Sequence, residues 1–261
     1  MTDPILPNNA EGLAIFYNVM VQDRGISLPE HLVPVVHAIT DPRISNLIVV
    51  IGPGSGKSML LSQIYPAFQI GHDPSITILG VSSAEGLMQG FMAGVGDWVK
   101  HSEKYHMFFP NVRPHPNKPW SGEKGLFVTG HPDGDADATY LATGLGSKNL
   151  TGKHGRLMIF DDLHDKENSA GSEACARVRG SYYTQLLGRA DPRGARFLIA
   201  GRRWHAEDLL GHLKDTGDFV VMELPAERKG SKELYWDVHV PILDGQEKPF
   251  ECCFTDGSVT V

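Results

Sequence analysis

The apolar positions of this chain change period at a few marked points, and those points lay out its elements. Ala10 to Val21 carries Leu13, Ile15, Phe16, Val19 and Met20 at helix-compatible spacing, and a second short helix is expected over Leu28 to Ala38, opening after Pro29. Asn46 to Ile51 is a continuous apolar, β-branched run of strand length. Gly52, Pro53, Gly54, Ser55 and Gly56 break it, and apolar residues resume at helical spacing with Leu60, Leu61, Ile64 and Phe68. The pattern predicts strand, glycine loop, helix.

The same alternation repeats downstream. Ser75 to Val81 reads as a strand followed by a helix from Ala84 to about Lys100. Tyr105 to Lys124 has scattered prolines and histidines and no sustained period, so a long surface excursion is expected there. Gly125 to Thr129 and Ala138 to Thr143 are short strand candidates around an acidic HPDGDADA turn. That turn lacks the terminal glutamate of a calcium loop and reads as solvated. The apolar run Leu157 to Phe160 ends in Asp161 and Asp162. Ser169 to Leu187 is helical in period, Ala195 to Ala200 and Phe219 to Leu224 read as strands, and AEDLLGHL between them begins a helix. From Ala226 onward the pattern weakens into a charged, β-like tail. Strands alternating with helices predict an α/β fold with a mostly parallel central sheet flanked by helices.

The glycine loop is where chemistry enters. Glycines without a Cβ let backbone N–H groups close around phosphate oxygens, and the following helix N-terminus adds partial positive charge. Lys57 is placed to reach β- and γ-phosphates, and the Ser58 hydroxyl to ligate Mg²⁺. The pattern G-x-x-x-x-G-K-[ST] wants glycine where this chain has Ile51, so the first glycine, Gly52, comes one residue late. A glycine-rich turn with an incidental lysine is the plain alternative. Asp161 and Asp162, at the carboxyl end of a buried strand, lie where α/β sheets put ligands. Asp161 suits metal binding and Asp162 suits the orientation or deprotonation of an attacking water. Taken alone, such a run is also what a strand meeting a polar loop looks like.

Several residues stay open at this level. Gly144 to Gly155, with Lys148, Lys153 and His154, either brings a cation near phosphate or is a flexible connector. Arg202, Arg203, Trp204 and His205 follow a core strand and suit γ-phosphate sensing or polyanion contact, although each residue type is more often a surface or packing group. Tyr17, His31 and Arg43 precede the first core strand, where a base would lie, although surface or packing roles are the more usual for each. A net charge of −7 over 261 residues gives no global attraction to nucleic acid, so polyanion contacts must come from local patches or from assembly. Cys175, Cys252 and Cys253 form no metal-ligand pattern and fit reduced thiols. No apolar run is long enough to span a bilayer, and the first residues carry no secretion signal; a soluble, intracellular protein is expected.

Three ordered motifs, IGPGSGKS, TYLATGLGSKNLTGKHGRLMIFDDLHD and RRWHAEDLLGHL, together resemble the ATPase domain of the large terminase subunit, the DNA-packaging motor of tailed bacteriophages. The similarity runs from about Leu47 to Ala226. It implies a P-loop NTPase fold of the ASCE type over residues 1–226, with 227–261 a short tail or linker lacking the family's nuclease domain. It implies ATP and Mg²⁺ as cofactors, with Gly52, Pro53, Gly54, Ser55, Gly56, Lys57, Ser58, Met59 and Arg203 at the nucleotide, Ser58 and Asp161 on the metal, and Asp162 and Lys57 catalytic. Lys153 and Arg156 are the candidates for a catalytic finger supplied by a neighbouring subunit. Double-stranded DNA, a portal protein, a small terminase subunit and a homo-oligomeric ring in the host cytoplasm are the implied partners and setting, with no membrane. Two departures stand out: Gly54 where many relatives carry an arginine, and Arg202 where they carry threonine or serine. Another nucleic-acid motor such as a helicase, or a nucleotide-dependent assembly module with little turnover, are the rival readings.

Overall fold

The computed structural model describes residues 5–224, 237–239, 253–255 and 258–260. Helix α1 (Ala10–Val21) is capped by Asn9, whose side chain accepts from the Gly12 N–H, and α2 (Val33–Thr40) follows a short 3₁₀ turn at Glu30–Leu32. Strand β1 (Asn46–Val50) leads through the glycine loop into α3 (Lys57–Met59), a π-helical turn (Leu60–Ile64) and α4 (Tyr65–His72), which run on without a break. Then come β2 (Ile78–Ser82), α5 (Glu85–His101), α6 (Glu103–Phe108), and the short β3 (Trp120–Ser121) and β4 (Gly125–Leu126). The second half holds β5 (Tyr140–Gly144), β6 (Leu157–Asp161), α7 (Ser172–Ser181), β7 (Arg196–Gly201), α8 (Leu209–Thr216), β8 (Val220–Glu223) and β9 (Asp237–His239). A separate hairpin pairs β10 (Cys253–Thr255) with β11 (Ser258–Thr260).

Among the described residues nine strands form one sheet in the order β3-β4-β5-β2-β6-β7-β1-β8-β9. The six from β5 to β8 are parallel, and antiparallel pairs close both edges. β9 therefore belongs to the main sheet, although its residues fall in the segment expected as a tail. The expectation of a mostly parallel sheet flanked by helices is met.

Alternation along the strands divides the core in two. Leu157 and Ile159 of β6 face the layer built from α1, α2, the α3–α4 helix, α5 and α6; Met158 and Phe160 face the layer of α7 and α8. Continuous burial of β2, β5 and β6 is what helices on both faces require. The first layer is anchored by Phe16, Phe68, Tyr105, Phe108 and Phe109, whose rings meet at centroid distances of 5.3 to 6.4 Å. Gly71 admits the Phe109 ring where a Cβ would come within 2.4 Å of it.

Element boundaries moved where side chains capture the backbone. β2 begins at Ile78 rather than Ser75 because Asp73 Oδ1 accepts from both the N–H and the hydroxyl of Ser75, closing a turn. The α8 helix starts at Leu209, after Asp208 caps it by accepting from the Gly211 N–H at 2.9 Å. The expected surface excursion opens on the second half of α6, and the helical stretch from Ser169 resolves into α7, a π turn at Tyr182–Leu186 and a 3₁₀ turn.

Candidate active site at the carboxyl edge of the sheet

The loop after β1 takes a shape that its glycines allow. Gly54 and Gly56 have φ of 76° and 84°, the left-handed region closed to most residues, and Gly56 forms the N-cap of α3. Among the described residues, none accepts from the backbone N–H of Gly54, Ser55, Gly56 or Lys57. Those donors are available to an anion. Gly52, Ser55, Gly56, Ser58 and Met59 are half-buried, while Pro53 and Gly54 are exposed. From the other side, His31 Nε2 lies 2.8 Å from the Ser55 carbonyl oxygen and donates to it, so the segment before α2 braces the loop.

Period-2 alternation sets the carboxylate that meets this loop. Residues 157, 159 and 161 share the face of β6 that packs on the α3–α4 helix, which puts Asp161 beside Ser58 and Ser62, one helical turn apart. Asp161 is 3% exposed. Burial raises its pKa to about 6, against the opposing pull of the Ser58 hydroxyl and the Lys57 ammonium. Ser62 donates to its Oδ2 at 3.4 Å, and its Oδ1 is buried without any partner. An orphaned carboxylate oxygen beside a serine hydroxyl is the donor set that Mg²⁺ takes, since this ion uses one or two carboxylates and fills its remaining positions with water and phosphate. Among the described residues no group of three or more His, Cys, Asp or Glu gathers as an all-protein metal site.

Continued alternation would send Asp162 to the opposite face. Instead its φ of 47°, the one positive value outside glycine among the described residues, breaks the strand. A left-handed aspartate costs about 1–2 kcal/mol, a strain that its surroundings must hold. Asp162 Oδ2 accepts from Lys57 Nζ at 2.8 Å, and the lysine is only 6% exposed. Its other oxygen, Oδ1, is buried and unpartnered. Gly201, at the end of β7, makes room: a Cβ there would lie 3.3 Å from that oxygen.

The 202–208 loop closes the site from the β7 side. Asp208 is fully buried, and its carboxylate accepts from the N–H groups of Trp204, His205 and Gly211 and from Arg203 Nε at 2.8 Å. Burial raises its pKa, but these hydrogen bonds and the arginine outweigh it, and the net shift is downward. Arg202 stacks over the Trp204 ring at 3.7 Å. Arg203 thus lies at the right edge of the sheet but is held within its own loop, by Asp208 and the carbonyls of His205 and Ala206.

No family model matches the chain, and no curated protein matches it. What the site can do rests on its own geometry.

Gly52 to Ser58, Asp161, Asp162 and Arg203 therefore converge on one edge of the sheet, while Lys153 and Arg156 do not. They precede β6 and lie at the amino edge, Arg156 roughly 16 Å along the strand from Asp161 at about 3.3 Å per residue. Lys153 Nζ donates to the Ala136 carbonyl, and Arg156 pairs with Asp73 at 3.0 Å. A same-chain role at the phosphates is outside their reach. Of the residues considered for a base, Tyr17 is fully buried and Arg43 pairs with Asp41 at 2.7 Å. Cys175 is a free, buried thiol; Cys252 and the side chain of Cys253 lie outside the described residues.

Three contributors were not legible in the sequence. Ser62 reaches Asp161 from the π turn, and Tyr140 donates from its hydroxyl to the Ser62 carbonyl at 2.7 Å, satisfying backbone in that irregular turn. His164, two residues beyond Asp162, is 5% exposed and accepts from the Leu209 N–H through Nε2 at 2.9 Å. The DDLHD run did place an imidazole next to the acids, but its partner lies 45 residues away.

Proposed function

We propose that this chain is a Mg²⁺-dependent ATPase of the P-loop type, and that it is the motor domain of a terminase-like machine that drives double-stranded DNA into a procapsid. The observation that carries the hydrolytic reading is the Lys57–Asp162 contact of 2.8 Å beside a buried, incompletely partnered Asp161. Lysine from the glycine loop and two acids from a strand not adjacent to β1 meet at one point, with β7 between β1 and β6. That order fits the ASCE type.

The available N–H groups of Gly54 to Lys57 take the phosphates, and the α3–α4 helix points its N-terminus at them. Ser58 and Asp161 are the residues that would hold Mg²⁺, which when bound neutralises charge between β- and γ-phosphate. Lys57 then exchanges the Asp162 carboxylate for phosphate oxygens. Released from the lysine, Asp162 Oδ2 is free to accept a proton from, or to orient, the water that attacks in line.

The packaging role rests on the likeness of IGPGSGKS, the DDLHD segment and RRWHAEDLLGHL to the terminase family. DNA, portal, small subunit and ring assembly follow from that likeness. Lys153 and Arg156, out of reach in their own chain, suit a finger presented to the next subunit.

Phosphate release from ATP, followed over a wide range of protein concentration for wild type, Lys57→Ala and Asp162→Asn, tests the proposal. Turnover should fall at least about a hundredfold in both variants, with ATP binding retained in Asp162→Asn. Specific activity that climbs with concentration supports a finger in trans; activity independent of concentration removes it. Turnover surviving in both variants would overturn the assignment.

A further inference from the structure

His164 joins two loops at the carboxyl edge of the sheet, beyond the bond that the Asp162 N–H already makes to the Ala200 carbonyl. One carries Asp162 off the end of β6; the other, 202–208, runs from the end of β7 into α8. The imidazole is almost fully buried and is fixed on one side, Nε2 accepting from the first amide of α8 at 2.9 Å. With Nε2 accepting, the ring proton resides on Nδ1, and burial favours that neutral form by lowering the pKa.

On the other side of the ring the nearest polar groups are the side chain and backbone of Asn168, and none makes a well-formed hydrogen bond to Nδ1. Nδ1 is buried and unpaired, and so is Asp162 Oδ1. Asp162, His164, Gly201, Arg202 and Leu209 line a small cavity of about 10 Å³, close to the space of one water. A donor and an acceptor, each lacking a partner, thus flank a space of water size. The 202–208 loop is itself stiff, since Asp208 gathers Trp204, His205, Gly211 and Arg203. A shift of α8's N-terminus therefore carries the whole loop.

We propose that His164 is a positioning residue that latches the Asp162 turn to the start of α8, through its bond to Leu209 and a single water held between its Nδ1–H and Asp162 Oδ1. Release of Asp162 from Lys57 on nucleotide binding is then felt at Arg202, Arg203 and Trp204. The latch rests on the ATPase reading above, because it needs a nucleotide to change the Asp162 contact.

Hydrogen exchange by mass spectrometry, with and without Mg²⁺ and a non-hydrolysable ATP analogue, separates the two ideas. Peptides covering 52–61 report binding, and those covering 202–212 report the loop. Wild type should respond in both. His164→Leu should keep the response at 52–61 and lose that at 202–212, while His164→Gln, whose amide oxygen can still accept from Leu209, should restore it. In turnover, His164→Leu should lower kcat about tenfold with KM within about twofold, and Gln should recover most of the loss. A response at 202–212 that persists in a folded His164→Leu, or a Gln variant no better than Leu, overturns the latch and leaves the ATPase reading standing. No response at 52–61 in wild type overturns the ATPase reading and the latch with it.

Discussion

Asp191 and Asp161 lie at opposite edges of the same sheet, 7% and 3% exposed, and their surroundings are opposite in kind. Asp191, at the amino edge, is answered within its own turn: the Arg193 N–H and guanidinium donate to both oxygens, the nearest at 2.6 Å, and hold its pKa down to about 2. Asp161, at the carboxyl edge, has hydroxyls for company, one oxygen with no partner, and a pKa raised by burial. A carboxylate that completes a turn is satisfied by neighbours in sequence. Asp161 is held by residues about a hundred positions away and keeps one oxygen without a partner. The same contrast covers the rest of each edge. Arg156 is matched by Asp73, whereas Asp162 has one oxygen on Lys57 and one on nothing.

The contrast can be broken most forcefully through turnover. Lys57→Ala and Asp162→Asn should each lower phosphate release at least about a hundredfold, while Asp191→Asn should leave it within about threefold, as steady-state assays would read. Asparagine tolerates the left-handed backbone of position 162, so that variant should stay folded. Next in size is Asp208→Ala, which strands Arg203 and three N–H groups around a buried hole; urea unfolding should show a loss of about 3 kcal/mol.

A pH titration of stability sharpens the comparison further, because the two aspartates carry opposite signs. Asp161 has a folded pKa near 6 against an ordinary 3.8, so its ionisation opposes folding as pH rises from about 4 through 6. Asp161→Asn should therefore stabilise the ligand-free protein at pH 7, by on the order of 3 kcal/mol, with the gain fading toward pH 4. Asp191, with its pKa depressed to about 2, contributes stability that is present above about 4 and lost as pH falls toward 2; Asp191→Asn should destabilise at pH 7 and not near pH 2. The smallest effect is Ser62→Ala, which removes one weak hydroxyl contact to Asp161 and should change the Mg²⁺ dependence of turnover by about threefold or less, read from a metal titration.

Much of the site was legible because its parts obey local rules. GSGKS between an apolar run and a helical period can only place Lys57 at a strand-to-helix turn, and LMIFDD can only end a buried strand in acids. Alternation along β6 also assigns Asp161 to the face of the α3–α4 helix. What the sequence hides is long-range or irregular. The π turn that brings Ser62 to Asp161 has no signature in LLSQI, and the positive φ at Asp162 sits among bonds from Lys57 and Ser83, both remote in sequence. Arg203 shows the other limit. Its position at the end of a core strand was readable, but whether its guanidinium faces a phosphate or Asp208 depends on a carboxylate five residues on that doubles as a helix cap. Lys153 and Arg156 were close to the acids in sequence and remote in space, since a parallel strand separates its two ends by its whole length.

The claim at the centre is that the unfinished carboxylate, Asp161, is where metal and nucleotide meet. Equilibrium binding of a fluorescent ATP analogue, with and without Mg²⁺, tests it in wild type, Asp161→Asn and Asp191→Asn. Mg²⁺ should tighten binding at least about tenfold in wild type and in Asp191→Asn, and by less than about twofold in Asp161→Asn. An undiminished Mg²⁺ response in Asp161→Asn, or its loss in Asp191→Asn alone, would contradict the account.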